Sequence, residues 1–429
     1  MRTGARLRGA LSAPVAAMLL VGGGIAAGVI AGSATSAGAT TVSTEAQLRA
    51  AFDTGSSITL ANDINLSDCG SGDVTRSIGN AGVGLALDGG GHTIRQTCNG
   101  SRVLFNGTTD PITLQNVTIT GGNVNDGDGG GGIHSDVGAP LTVINSAIIN
   151  NLTCEQGGGI EMDRPGNLTV INSTIANNTA VDSDGGGIAI VGGSSSLKTV
   201  VTNSTVTGNK SVEAGGIEVD AGSLKLTYAT VVDNTVDPTL TCPPSLQALK
   251  ATSATHHPHH ADPVEPRGTK GGVTPAAGPV TFPANIRVVD TSANQVLTSF
   301  GSVVALPHGG PDCGTFPTGP PPLVNTVSNG FNYSDQTTCG FTAGTDKQNA
   351  ADPNLAALAA NGGLAPTRLP NPGSPLIDAI PLGSCSADGA ATINPLTDER
   401  GVSRPQGAGC EIGAVEVVVP LIVTPRFTG

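Results

Sequence analysis

From residue 112 onward, short apolar runs alternate with Gly and Asn at a nearly constant spacing. Five segments share the pattern: ITLQNVTITGG, LTVINSAIINN, LTVINSTIANN, KTVVTNSTVTGN and LKLTYATVVDN. Aligned on the Asn, they place Asn116, Asn145, Asn172 and Asn203 in one column, with Tyr228 in the fifth place. Two residues earlier stand Leu114, Val143, Val170, Val201 and Leu226. Three residues later stand Ile119, Ile148, Ile175, Val206 and Val231. Asn151, Asn178, Asn209 and Asn234 follow six after the first Asn column. A Gly-Gly-Ile motif interleaves, ending at Ile133, Ile160, Ile188 and Ile217.

Period-two alternation without helical spacing predicts short strands. A unit of this size cannot bury its own apolar face and must stack on copies of itself. If each unit makes one turn of a coil, its strands pair in parallel about 4.8 Å apart. The columns then become ladders along the axis. Aliphatic ladders fill the interior, and Asn ladders take the turns, where Asn tolerates left-handed backbone and its amide reaches the Asn above. A β-sandwich gives no reason for this recurrence, and a propeller blade needs about 40 residues. The pattern predicts an all-β parallel β-helix. Ahead of it, residues 44–52 read as an amphipathic helix begun by Ser43 or Thr44, covering the open end. Ser57–Leu60 follows as the first strand.

Composition narrows the picture. The 429 residues include 62 Gly and 29 Pro, while charged residues are 12% and aromatics 2%, with no Trp. Such a core is narrow and aliphatic. Hydrophobic content of 38% excludes a solvated disordered coil, and Gly without a three-residue period excludes collagen. A net charge of −13 leaves no basic surface for nucleic acid. Arg2, Arg6 and Arg8, the apolar stretch Leu11–Gly32 and Ala37-Gly38-Ala39 read as a signal peptide over residues 1–39. No later segment is long enough to span a membrane once the signal is removed, since Val417–Val423 is short and broken by Pro420. Eight cysteines suit an exported disulfide set. Sequence neighbours suggest Cys69–Cys98, Cys313–Cys339 and Cys385–Cys410, leaving Cys154–Cys242. The reading divides the chain into a β-helix over 40–300, broken by a Pro- and His-rich insert at about 240–280, a C-terminal part over 301–417 and a tail over 418–429.

The alternation of Gly-Gly-Ile with Asn-x-x-(Ile/Val) strands resembles polymorphic outer-membrane-protein-type repeats in right-handed parallel β-helices of the pectin-lyase-like superfamily. The C-terminal third is more specific. It carries, in order, Asp352-Pro-Asn-Leu355, Asn361-Gly-Gly363, Pro372-Gly-Ser-Pro-Leu-Ile-Asp-Ala379, Asp398-Glu-Arg-Gly-Val-Ser-Arg-Pro405 and Cys410-Glu-Ile-Gly-Ala-Val-Glu416. This series resembles the choice-of-anchor module at the end of extracellular bacterial β-helix proteins. The resemblance implies export, frequently with a sorting signal to follow. The short stretch after Glu416 carries no LPxTG-like motif, so the expectation is release or loose surface retention. Arg400 and Arg404, near Asp398, Glu411 and Glu416, read as internal pairs tying the last strand to the preceding loop.

The candidate chemistry lies after the Gly-Gly-Ile motif. His134, Glu161, Ala189 and Glu218 form one outward column, and Asp136, Asp163, Val191 and Asp220 the next. Asp136, Glu161, Asp163 and Glu218 are therefore the candidate catalytic acids, in an arrangement that could also bind Ca²⁺. A hydrolase needs two carboxylates facing one groove, about 5–10 Å apart. A lyase needs a basic residue as well, yet bases in the coils are sparse and sugar-stacking aromatics nearly missing. Acidic columns more often keep a solenoid soluble. His256, His257, His259 and His260 crowd the insert and are candidate Zn²⁺ or Cu²⁺ ligands, or simply a solvated loop. The leading expectation is a secreted, non-enzymatic, monomeric scaffold, adhesin-like, presenting a regular face to an extracellular glycan or protein. The alternative is a polysaccharide lyase or glycoside hydrolase.

Overall fold

A computed structural model describes residues 38–54, 57–79, 83–163, 166–181, 185–192, 196–220, 222–250, 282–289, 296–316, 325–386 and 395–418. The basic and apolar parts of the signal sequence, the cluster His256, His257, His259 and His260, and nearly all of the tail lie outside the described residues.

The chain is a right-handed parallel β-helix, with the expected ladders in register. In one coil, Leu141–Ile144 joins a first sheet, Ala147–Ile149 a second, Leu152–Thr153 a short ribbon and Ile160–Asp163 a third sheet. Leu168–Ile171 then re-enters the first sheet one storey on. Among the described residues the first sheet has ten strands, the second and third eight each, and the ribbon five. Val143 pairs with Val170 and Val170 with Val201 in the first sheet. Ile148, Ile175 and Val206 pair in the second, and Ile160, Ile188 and Ile217 in the third. These inward apolar columns, joined by a second one in the first sheet (Leu141, Leu168) and in the third (Met162, Ile190), fill the interior as a single buried cluster.

The corners explain the sequence columns. Asn116, Asn145, Asn172 and Asn203 turn the chain from the first sheet to the second at φ 53, 47, 49 and 44°, and Tyr228 does the same at φ 50°. Asn carries this left-handed geometry at lower cost than most side chains. Beside them runs a serine ladder that the sequence reading missed. Ser146 N–H donates to Ser173 Oγ at 3.0 Å and Ser173 N–H to Ser204 Oγ at 3.1 Å. The second Asn column is buried. Asn151, Asn178, Asn209, Asn234 and Asn285 form a ladder in which each Nδ2 donates to the next Oδ1 at 2.9–3.0 Å. Asn285 Nδ2 ends the ladder on Asp312 Oδ1 at 2.8 Å.

At the N-terminal end, helix α1 (Glu45–Thr54) covers the core with Leu48, Ala51 and Phe52. Thr44 Oγ1 accepts from Gln47 N–H at 3.3 Å, while Gln47 Oε1 accepts from Ser43 N–H at 2.9 Å, a reciprocal cap. One strand was missed: Thr40–Val42 precedes the helix and pairs with Ile58–Leu60, so Ile58–Leu60 is second, not first. Three residues are too few to show alternation. All four expected disulfides are formed, and no cysteine is free. Cys154–Cys242 ties the start of the insert to the coil, where helix α2 (Pro244–Lys250) packs Leu246 against Val181 and both cysteines.

The C-terminal cap has two parts. Residues 325–350, tied by Cys313–Cys339 and carrying Phe341 into the core, close the end of the coil. Residues 352–386 and 395–417, tied by Cys385–Cys410, lie along the outer face of the second sheet instead. There Ile412, Leu376 and Ile380 pack with Tyr228, Val232 and Val303.

Candidate functional site

The third sheet brings the candidate column together in the expected register. Phe105, His134, Glu161, Ala189, Glu218, Arg287 and Gly314 stack in that order. The expected exposure is overturned. His134 is 3% exposed, Glu161 5% and Glu218 1%. For His134, Glu161 and Ala189 the reason lies in an extra glycine before the first three Gly-Gly-Ile motifs, whereas Ala214 precedes the fourth, ahead of Glu218. Gly130, Gly157 and Gly185 adopt φ of 70, 65 and 63° and fold each turn back over the residue four positions on. A Cβ at these glycines would sit 2.7, 2.6 and 2.7 Å from the Cβ atoms of His134, Glu161 and Ala189. Only glycine permits that approach, and the triple-glycine runs were the signal available in the sequence.

Two arginines stand near the buried acids: Arg287, next to Glu218 in the column itself, and Arg102, outside it. Arg287 reaches Glu218 at 3.0 Å and Glu213 at 2.7 Å. Arg102 pairs with Asp73 and Asp126, each at 2.8 Å, and stacks over Phe105 at 5.5 Å. Phe105 meets His134 edge-on at 5.3 Å, and His134 Nδ1 lies 4.0 Å from Glu161 Oε2. Burial pushes the Glu161 carboxyl well above the usual range, Asp163 and Asp128 push it further, and Arg102 only partly opposes them. Asp136 and Asp163 are half-buried in the neighbouring column, where Asp163 pairs with Val191. The four candidate acids therefore share one sheet, but Glu161 and Glu218 face packed protein rather than a groove. Among the described residues, no group of three or more His, Cys, Asp or Glu side chains converges to hold a metal ion.

The sheet faces differ in cover. The second sheet is covered by residues 352–386 and 395–417, in which Arg400 pairs with Asp398 at 2.7 Å and Arg404 with Glu416, the internal pairs read from the sequence. The first sheet presents Thr113, Thr142 and Thr169 side by side, continued by Val200, Lys225 and Thr298. Gln115, Ile144, Ile171 and Thr202 run parallel to them, and all these side chains but exposed Lys225 are half-buried. Among the described residues this face is flat, hydroxyl-rich and weakly charged.

Comparison with known proteins supports the architecture. Residues 54–236 match the family model described as the right handed beta helix region. No curated protein and no solved structure matches the chain. No helix of the described residues is long and apolar enough to cross a membrane.

Proposed function

We propose that this β-helix is a secreted, non-enzymatic scaffold whose first sheet presents a flat face to an extracellular glycan or protein. The observation that carries the reading is the contrast between two faces. Of the candidate acids Glu161 and Glu218 are buried against protein and only Asp136 and Asp163 are half-buried, whereas the Thr-Ile-Gln face is half-open along successive coils. Hydroxyls and amides repeated at the strand spacing of about 4.8 Å can meet a regular polymer with many weak, periodic contacts. Four disulfides suit an oxidising exterior and support the export reading.

A glycan-binding array and a depolymerisation screen, run on the purified protein with and without chelator, test the reading together. Binding weakened at least tenfold by Thr142→Glu with Thr169→Glu, and no product from acidic or neutral glycans, is the expected outcome. Release of unsaturated uronate or reducing ends, abolished by Glu161→Ala, would replace the scaffold by a lyase or hydrolase. Chelator-sensitive binding would add Ca²⁺ to the face.

A further inference from the structure

The C-terminal module meets the second sheet through a carboxyl group whose proton can be counted from geometry. Glu399 is 5% exposed and inserts between two coils. Its Oε1 lies 2.7 Å from Thr174 Oγ1, and its Oε2 lies 2.5 Å from Thr205 Oγ1. Thr174 Oγ1 is also 2.5 Å from the carbonyl oxygen of Pro366. A threonine hydroxyl has one proton, and a backbone carbonyl can only accept. If Thr174 donates to Pro366, its lone pair faces Glu399 Oε1, and that contact is a hydrogen bond only when the carboxyl supplies the proton. An ionised Glu399 would leave two acceptors sharing a single hydrogen, out of reach of water, at considerable cost.

The surroundings offer no substitute for that proton. The second sheet contributes the hydroxyls of Thr174 and Thr205 and the Thr205 backbone N–H, all neutral. On the module side, Arg400 is engaged by Asp398, Arg404 by Glu416, and Arg368 by Asp233. Among the described residues none of these cations pairs with Glu399, and Asp398 next to it adds a negative charge. Glu411, close to Glu416, contributes no positive charge either.

We propose that residues 352–386 and 395–417 form a proton-locked clasp on the flank of the coil, closed while Glu399 is a neutral acid and released when it ionises. Burial, offset only partly by the two threonine hydroxyls, pushes Glu399 well above the ordinary carboxyl range, the direction the proton count demands. The sign follows. A carboxyl whose proton is held more tightly when docked stabilises the closed state in acid, and that stabilisation is lost as pH rises through its docked-state pKa. Release would uncover the threonine column Thr174, Thr205 and Thr230, which now holds the module.

Hydrogen exchange of the intact chain, corrected for intrinsic rates and followed by peptide mass spectrometry from acid to alkaline pH, tests this. Segments 174–176, 205–207 and 396–416 should lose protection together on the alkaline side, while the coil at 141–153 keeps its own. Loss of protection throughout the coil at the same pH, or none in the clasp, would overturn the proposal. Glu399→Gln keeps one donor and one acceptor without an ionisable proton, so its clasp should open only at higher pH. An onset unchanged from wild type would also overturn it, by assigning the opening to Glu411 and Glu416. Should that variant fold poorly, the wild-type infrared spectrum with and without Thr174→Val gives a second reading. The band of a neutral carboxylic acid near pH 7 should shift on removal of the Thr174 hydroxyl, and a band identical in both proteins would count against a protonated Glu399.

Discussion

Adjacent residues of the same type have different jobs in this coil, as Asn177 and Asn178 show. Asn177 is exposed at φ 56° and serves the turn through its backbone. Asn178 is buried: Nδ2 donates to Ile148 O at 2.9 Å and to Asn209 Oδ1 at 3.0 Å, while Oδ1 accepts from Asn151 N–H and Nδ2. Removing the Asn178 amide leaves several buried groups unpaired at about 1–3 kcal/mol each, so Asn178→Ala should destabilise by about 3–5 kcal/mol. Asn177→Ala should cost roughly 1 kcal/mol, and Asn177→Gly should lie within about 0.5 kcal/mol of wild type, because only the left-handed backbone is at stake. Urea denaturation of the three variants checks the ranking. Equal losses at both positions would mean that the ladder amides exchange freely for water.

At the scale of the coil corner, the same contrast separates glycines. A Cβ on Gly187 would lie 2.7 Å from Gly216 O and 3.0 Å from Asn209 Nδ2, both fixed in the next storey. Gly192 at φ 68° has no atom within 4 Å of that position. Gly187→Ala should therefore cost about 3 kcal/mol or more and lower soluble yield, whereas Gly192→Ala should cost roughly 1 kcal/mol from backbone strain alone. Thermal melting of the two variants decides between them. Much was legible in advance: the Val143, Val170 and Val201 column, both Asn columns and three disulfides follow from spacing, and Cys154–Cys242 follows by elimination. What escaped depends on residues the period does not contain. Arg287 pairs with Glu218, and Arg102 partly offsets the charges around Glu161, both from outside the Gly-Gly-Ile motif, and the turns over His134, Glu161 and Ala189 rest on one further glycine each, Gly130, Gly157 and Gly185. The lateral path of residues 352–386 and 395–417 was equally hidden, because Glu399 meets Thr174 across 225 residues without any repeat to announce the contact.

For the molecule as a whole, buried carboxyl groups set the response to pH. Asp312 ends the Asn ladder beside Asp335, and burial together with that neighbour pushes it up to about 8. Glu411 is pushed up to about 9 by burial and by Glu416. Glu161 and Glu399 are raised as well, both chiefly by burial. In the unfolded chain these groups ionise near the ordinary values of 3.8 and 4.5. Between there and their folded values the unfolded state binds fewer protons than the native state, so stability falls as pH rises. The slope is at most about 1.4 kcal/mol per pH unit for each group. On the acid side the sign reverses, because hydrogen bonds hold Asp68 and Asp237 below their ordinary values and those contributions vanish as pH falls through that range. The two trends predict a melting temperature highest near pH 4–5 and declining steadily to pH 9, a fall reinforced by the mutual repulsion that a net charge of −13 adds at neutral pH. Circular dichroism melts from pH 3 to 9 in moderate salt check it. Substituting Asp312→Asn, which retains a partner for Asn285 and Ser334, should flatten the decline between pH 6 and 8. A maximum at pH 8, or an Asp312→Asn curve parallel to wild type, would mean that these carboxyls are ionised in the folded coil.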